Sequence, residues 1–254
     1  MPPERWATGR PTIVDVAALS GVSKSTVSNV LRDAGRVSGE GAEMVDTVVA
    51  DFESLEAVRA AAVRIAEVSP RIDVLVNNAV IVGKRKRFLD SDASWLDTSY
   101  RVNTRAPYIL MQKIGSHMAG RGGGSIINIT TGGLGQPPAP TGPVTEREMD
   151  SIDPCYPISK APLDRMTTAL ASELWADNIG IVAITPGLVI TERIRAAALR
   201  PSVDMNAGQP AEITAAACAY LIQHPMEYTG RKIPARDILE EKGLLDGVMA
   251  AVKA

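Results

Sequence analysis

A tyrosine and a lysine stand four residues apart in "YPISK", Tyr156 to Lys160. On a helix that spacing projects both side chains from the same face. An ammonium beside a phenol lowers the phenol's pKa, so the pair is suited to exchanging a proton near neutral pH. The rest of the chain offers no competing chemistry of this kind. Cys155 and Cys218 are far apart and lack CxxC or Cys/His spacing, so neither a disulfide framework nor a metal site is expected. Cys155 abuts Tyr156 with nothing beside it to stabilise a thiolate. His117 and His224 read as surface or packing residues, and "GKRKRF", Gly83 to Phe88, as a solvated loop.

The elements that must hold the pair alternate along the chain. An amphipathic helix is predicted over Leu55 to Val68, then a buried strand in "IDVLVNNA", Ile72 to Ala79, and a helix from about Asn103 to Met118. "SIINIT" reads as a strand, Pro157 to Ala176 as a helix carrying the tyrosine and lysine, and "IGIVAIT" as a further strand. Alternating buried strands and amphipathic helices predict an α/β fold with a doubly wound, Rossmann-like parallel sheet.

"LVNNA", the asparagine of "RVNTRAP", "SIINITT", "YPISK" and "ITPG" occur in the order and approximate spacing of the short-chain dehydrogenase/reductase family, and the resemblance spans about residues 45–254. It implies hydride transfer between NAD or NADP and an alcohol or carbonyl substrate. By that resemblance Tyr156 is the general acid/base, while Lys160 holds the nicotinamide ribose and tunes the tyrosine. Thr131 takes the place of the substrate-orienting serine, and Asn103 that of the proton-relay asparagine. Asn78 and Ala79 fall along the adenosine ribose, Asp51 near the adenine, Pro186, Gly187 and Ile190 against the nicotinamide, and Thr191 near the phosphates. Family members pair through helices beside the active site, which implies a homodimer or homotetramer.

The sequence departs from the family pattern at named positions. Thr131 adds a methyl that restricts χ1. Val80 replaces the glycine expected after "NNA", and Pro162 lies where a helix interior would lose about 3 kcal/mol unless it falls in the first turn. The loop from Thr131 to Tyr156 is long and Pro/Gly-rich. Above all, no TGxxxGxG motif precedes the first helix, so the backbone amides that approach a pyrophosphate at a helix N-terminus are missing.

In that place stands "TIVDVAALSGVSKSTVSNVL", two short helical patterns separated by Gly21, with Ser23 as N-cap of the second. Residues 11–40 resemble the helix-turn-helix headpiece of the LacI family of repressors. The resemblance places Lys24, Ser25 and Asn29 toward base edges in the major groove, with Ser23, Thr26 and Ser28 near phosphates. We therefore divide the chain into a headpiece-like segment, 1–43, and a dehydrogenase-like domain, 44–254, the former replacing the first βαβ unit. Residues 41–52 are contested. Val45, Val48, Val49 and Phe52 have the i, i+3, i+4, i+7 spacing of a third headpiece helix, whereas "TVVADF" before Leu55 to Val68 suits a sheet strand, which we expect.

The chain has 254 residues, 45% of them hydrophobic, and a net charge of −2, which excludes general electrostatic affinity for nucleic acid or anionic membrane. No apolar run is long enough to span a membrane, and the two cysteines fit a reducing cytoplasm. The expected protein is a dehydrogenase whose grip on its cofactor is weakened. The alternative is a DNA-binding regulator that uses the dehydrogenase-like region to sense or interact.

Overall fold

A computed structural model describes residues 48–83, 87–132, 142, 154–191, 194 and 208–253. The headpiece-like residues Ser23, Lys24, Ser25, Thr26, Ser28 and Asn29, and residues 41–47 of the contested segment, lie outside them. Over residues 48–52 the chain is not helical. Val49 makes a single β-bridge, Ala50 and Phe52 are buried while Val49 and Asp51 are exposed, and a turn begins at Asp51. The described part of the contested segment is therefore a β-bridge at Val49 that runs into a turn at Phe52, and the helical stripe has no counterpart in it.

Helix α1 (Leu55–Val68) starts where Ser54 accepts a hydrogen bond from the Ala57 amide at 3.2 Å. It buries Val58, Ala61, Ala62 and Ile65, the apolar stripe its sequence predicts. Strand β1 (Val74–Asn77) follows, then helix α2 (Ala93–Tyr100), capped by Asp92. One wide helical turn, Arg101–Arg105, joins α2 to helix α3 (Ala106–Ala119). The predicted helix from Asn103 thus begins inside that wide turn, and α2 precedes it without a break.

Gly122 and Gly123, at φ 96° and 107°, turn the chain into strand β2 (Gly124–Ile129). A Cβ on Gly123 would lie 2.1 Å from the Asn178 carbonyl oxygen, so only glycine fits this turn. Helix α4 (Cys155–Trp175) and strand β3 (Ile179–Thr185) come next, then helix α5 (Ala211–Gln223), strand β4 (Lys232–Pro234) and helices α6 (Ala235–Glu241) and α7 (Leu245–Lys253). Pro162 lies within α4, beyond its first turn. The helix continues past it, with the Ile158 carbonyl losing its i+4 donor.

The four strands run parallel in the order β1-β2-β3-β4, in a register that aligns Val76 with Ile127, Ile127 with Val182, and Ala183 with Lys232. Because side chains alternate across a strand, Ile126 and Ile181 enter one core while Ile127 and Val182 enter the other. The first core joins the sheet to α1, α3 and the later turns of α4. The second joins it to α5, α6 and Leu245 at the start of α7. With helices on both faces of a parallel sheet, the fold is Rossmann-like, as expected.

Candidate active site

Tyr156 is half-buried in the first turn of α4 and Lys160 is buried one turn on. Only 2% of Lys160 is exposed, and its Nζ donates to the Ile129 carbonyl at the end of β2, 2.7 Å away. Burial pushes its ammonium down to about 8, and the Asp164 carboxylate, a turn further along α4, opposes that shift. A buried amine is costly unless it serves packing or chemistry. Here it lies at the carboxyl end of a central parallel strand, where open α/β sheets bind ligands.

Asn103 is fully buried in the wide turn before α3. Its Oδ1 accepts from the Ile81 amide, and its Nδ2 donates to the Ile81 carbonyl and to Ser159 Oγ, all at 2.9 Å. The next residue, Thr104, donates from Oγ1 to the Ser159 carbonyl at 2.6 Å, and Ser159 Oγ donates to the Tyr156 carbonyl at 2.9 Å. The wide turn therefore clamps both the loop after β1 and the segment of α4 between Tyr156 and Lys160. Thr131 is half-buried just past β2, its carbonyl accepting from Lys232 Nζ at 2.8 Å.

The residues that the sequence suggests for the cofactor lie on segments that leave the strands or enter α1. Asn78 is exposed and Ala79 half-buried after β1. Asp51 Oδ1 accepts from the Glu53 amide at 2.9 Å, so this carboxylate also shapes the entry to α1. Pro186, Gly187, Ile190 and Thr191 follow β3. Gln209 pins that segment: its side chain donates to the Pro186 carbonyl, its amide to Leu188 at 2.8 Å, and its carbonyl accepts from the Ile190 amide at 2.9 Å. Thr191 Oγ1 accepts from the Ile194 amide at 3.3 Å.

Sequence reasoning missed the residues that fasten this frame. Asn77 and Asn128 are paired across β1 and β2. Asn77 donates to Asn128 Oδ1 at 2.8 Å, and Asn128 donates to Thr167 Oγ1 of α4 at 3.0 Å. Their signal was present, since an asparagine inside a buried strand requires a polar partner. Ser159, Thr104 and Lys232 carried no such signal, because their partners are remote in sequence.

The sequence model of the short chain dehydrogenase family matches residues 14–200. The chain belongs to that family. The match takes in most of the segment for which a repressor-like headpiece was expected, and no comparison supports that headpiece. The chain is 31% identical over 186 residues to galactitol 2-dehydrogenase (L-tagatose-forming) of Cereibacter sphaeroides, covering 70% of this chain and 68% of that one. It is 32% identical to the probable galactose dehydrogenase of Rhizobium meliloti over 73% of its own length, but spans only 64% of that relative. Among solved structures it is similar to hydroxysteroid dehydrogenase from Escherichia coli, with a TM-score of 0.56 and 26% identity over 73% of this chain and 71% of that one. It shares the fold of the Pseudomonas aeruginosa RhlG/NADP active-site complex, with a TM-score of 0.58 and 23% identity over 73% of each chain.

The carboxyl end of the sheet offers groups that fit the NAD or NADP of this family, by an observation independent of these likenesses. Thr130 and Thr185 stand at the carboxyl ends of the adjacent strands β2 and β3, and each has a buried Oγ1 with no hydrogen-bond partner among the described residues. Two such hydroxyls at a ligand-binding sheet end are groups that a bound ligand can satisfy. Among the described residues no group of three or more His, Cys, Asp or Glu could hold a metal, and no helix is long and apolar enough to cross a membrane.

Proposed function

We propose that the protein is an NAD(P)-dependent dehydrogenase that interconverts a secondary hydroxyl and a carbonyl on a sugar or sugar alcohol. The observation that carries this reading is Lys160, an amine 2% exposed, fixed at the end of β2 and one helical turn from Tyr156 in a chain of this family. The substrate class follows the names of the galactose and galactitol relatives.

Bound NAD(P)+ supplies a hydride acceptor, which the side chains of the protein cannot provide. In the oxidative direction the phenolic oxygen of Tyr156 takes the substrate hydroxyl proton as the C–H bond on the same carbon gives up its hydride, leaving a carbonyl. Lys160 spends one N–H on Ile129 and keeps others for the cofactor ribose. The Thr131 hydroxyl orients the reacting oxygen, and Asn103, clamping Ile81 and Ser159, keeps the wall of the site in register. Asp51, Asn78 and Ala79 line the adenosine end, Pro186, Gly187 and Ile190 the nicotinamide end, and Thr191 stands near the phosphates.

Turnover of galactose and galactitol with millimolar NAD+ or NADP+, compared in wild type and Tyr156→Phe, tests the reading. Loss of turnover with an intact fold supports it, and equal rates sink it. Exposed Tyr108 on α3 and Ile158 and Trp175 on α4, 47%, 52% and 56% exposed, support a homodimer or homotetramer, which light scattering would refute by finding a monomer. Two cysteines outside any disulfide support a cytoplasmic location. Localisation of a fluorescent fusion outside the cytoplasm would overturn that reading. DNA binding through Lys24, Ser25, Thr26, Ser28 and Asn29 is supported by the headpiece-like pattern alone.

A further inference from the structure

Lys232 makes two links between β4 and the proposed catalytic centre. Its Nζ donates to Asp164 Oδ2 of α4 at 2.7 Å and to the Thr131 carbonyl at 2.8 Å. The Lys232 and Asp164 side chains are 19% and 29% exposed, so water screens this pair only in part. Asp164 Oδ1 is buried without a partner, which leaves Oδ2 and Lys232 to balance the carboxylate. Near this pair, Thr168 Oγ1 donates to the Gly230 carbonyl at 3.4 Å, a second tie between α4 and the approach to β4.

The end of β2 is consequently held at three successive residues. Lys160 takes the Ile129 carbonyl, the Thr130 amide donates to the Ile184 carbonyl at 2.8 Å, and Lys232 takes the Thr131 carbonyl. Immediately afterwards Gly132 turns away at φ 78°, and a Cβ there would lie 4.0 Å from Lys232 Nζ. The Lys232 ammonium thus holds the chain two residues beyond the end of β2. A hydroxyl that must meet a reacting oxygen is only as well placed as its backbone.

We propose that Lys232 is a positioning residue of the dehydrogenase site: by holding the Thr131 carbonyl and the Asp164 carboxylate together, it sets the pose of the Thr131 hydroxyl and joins β4 to the helix carrying Tyr156 and Lys160. This rests on the dehydrogenase reading, but its physical content does not require turnover. Asp164 lies one turn beyond Lys160 on α4, and its charge favours the Lys160 ammonium. On its own helix Lys160 has Tyr156 a turn before it and Asp164 a turn after it, and Lys232 on β4 reaches it through its ion pair with Asp164. The end of β2 presents the Ile129 carbonyl to it, and Pro186 to Thr191 carries no charged side chain. Removing the Lys232 charge leaves Asp164 to act on Lys160 alone, whereas removing the Asp164 charge takes that support away.

The test uses the full chain with lysine labelled at 13Cε and threonine at its methyl carbon, comparing wild type, Lys232→Met, Lys232→Arg, Asp164→Asn and the double variant Lys232→Met/Asp164→Asn. Lys232→Met should shift the Thr131 methyl signal and raise the Lys160 midpoint, Asp164→Asn should lower that midpoint, and the double variant should return it toward wild type. Lys232→Arg, which keeps the charge and a donor, should restore both signals. In turnover with galactitol or galactose, Lys232→Met should lose about tenfold in kcat with KM within about twofold, since the loss is of orientation rather than binding. A wild-type Thr131 signal and Lys160 midpoint in Lys232→Met, or Lys232→Arg no better than Met, would overturn the proposal. No turnover by wild type would instead refute the dehydrogenase reading, while the two NMR readouts would still decide whether Lys232 holds Thr131 and Asp164.

Discussion

Replacing Asn103 by alanine should unfasten the site without touching Tyr156 or Lys160. Asn103 makes three hydrogen bonds at 2.9 Å from a fully buried position, two of them to the amide and carbonyl of Ile81. Alanine orphans both of those backbone groups, while Ser159 Oγ keeps its bond to the Tyr156 carbonyl. An unsatisfied buried group costs about 1–3 kcal/mol, and Ile81 is only partly buried, so the low half of the summed range applies, about 3 kcal/mol. In a protein of this size that lowers Tm by roughly 6–12 °C. Ser159→Ala leaves only one Nδ2 donor unmet and should cost about 1 kcal/mol. Because both changes delete the same Asn103–Ser159 bond, the double variant should lose less than the sum of the two. Thermal and urea unfolding followed by circular dichroism, with Thr104→Val as a neighbouring control, measures all of these. Stability of Asn103→Ala within about 1 kcal/mol of wild type, or strict additivity with Ser159→Ala, would refute the reasoning.

Lys160 titrates near 8 in the fold against an ordinary value of 10.5, so between those pH values the unfolded chain binds more protons and unfolding free energy should rise with pH. Lys160→Met should remove that rise, of order 3 kcal/mol at full burial, in unfolding compared across the window. The comparison with wild type is needed because burial pushes Cys218 up to about 11, which gives the opposite slope as pH rises. Calorimetric titration should show NADH and NADPH dissociation constants nearer the millimolar than the micromolar range, a gap of about 4 kcal/mol, because the TGxxxGxG amides are missing from the sequence. Micromolar affinity would reveal a phosphate site within residues 1–50. Fluorescence binding to a panel of palindromic operators should show no sequence-selective complex. Nanomolar binding that is lost in Asn29→Ala would make the repressor reading primary.

The frame of this fold was legible wherever local pattern and burial agree. Leu55 to Val68 has a helical stripe, Ile179 to Thr185 is an unbroken buried strand, and the structure gives both the expected bounds. Over residues 48–52 the chain is not helical: Val49 makes a β-bridge, Ala50 is buried, and a turn begins at Asp51 that buries Phe52. Helix α2 escaped notice because it buries only Ser99, so it has almost no apolar stripe to read. Strand β4 is three residues long and passes directly into a helix, too short for a periodicity.

At the site, Tyr156 and Lys160 were visible as a spaced pair on one helix. Their supports were not. The ties from Asn103 to Ser159, Asn77 to Asn128, and Lys232 to Thr131 bridge 56, 51 and 101 residues, and such pairings depend on the folded sheet rather than on local spacing.

Whether hydride leaves a substrate carbon and its hydroxyl proton passes to Tyr156 is measured most directly by isotope transfer. Wild type and Tyr156→Phe would be incubated with uniformly carbon-deuterated sugars and sugar alcohols, galactitol among them, and millimolar NAD+ or NADP+. Mass spectrometry would then follow deuterium in the reduced nicotinamide. The account predicts deuterium on the nicotinamide ring with wild type and its loss with Tyr156→Phe, the fold being intact by circular dichroism. No transfer by wild type to either cofactor across the panel, or undiminished transfer by Tyr156→Phe, would contradict it.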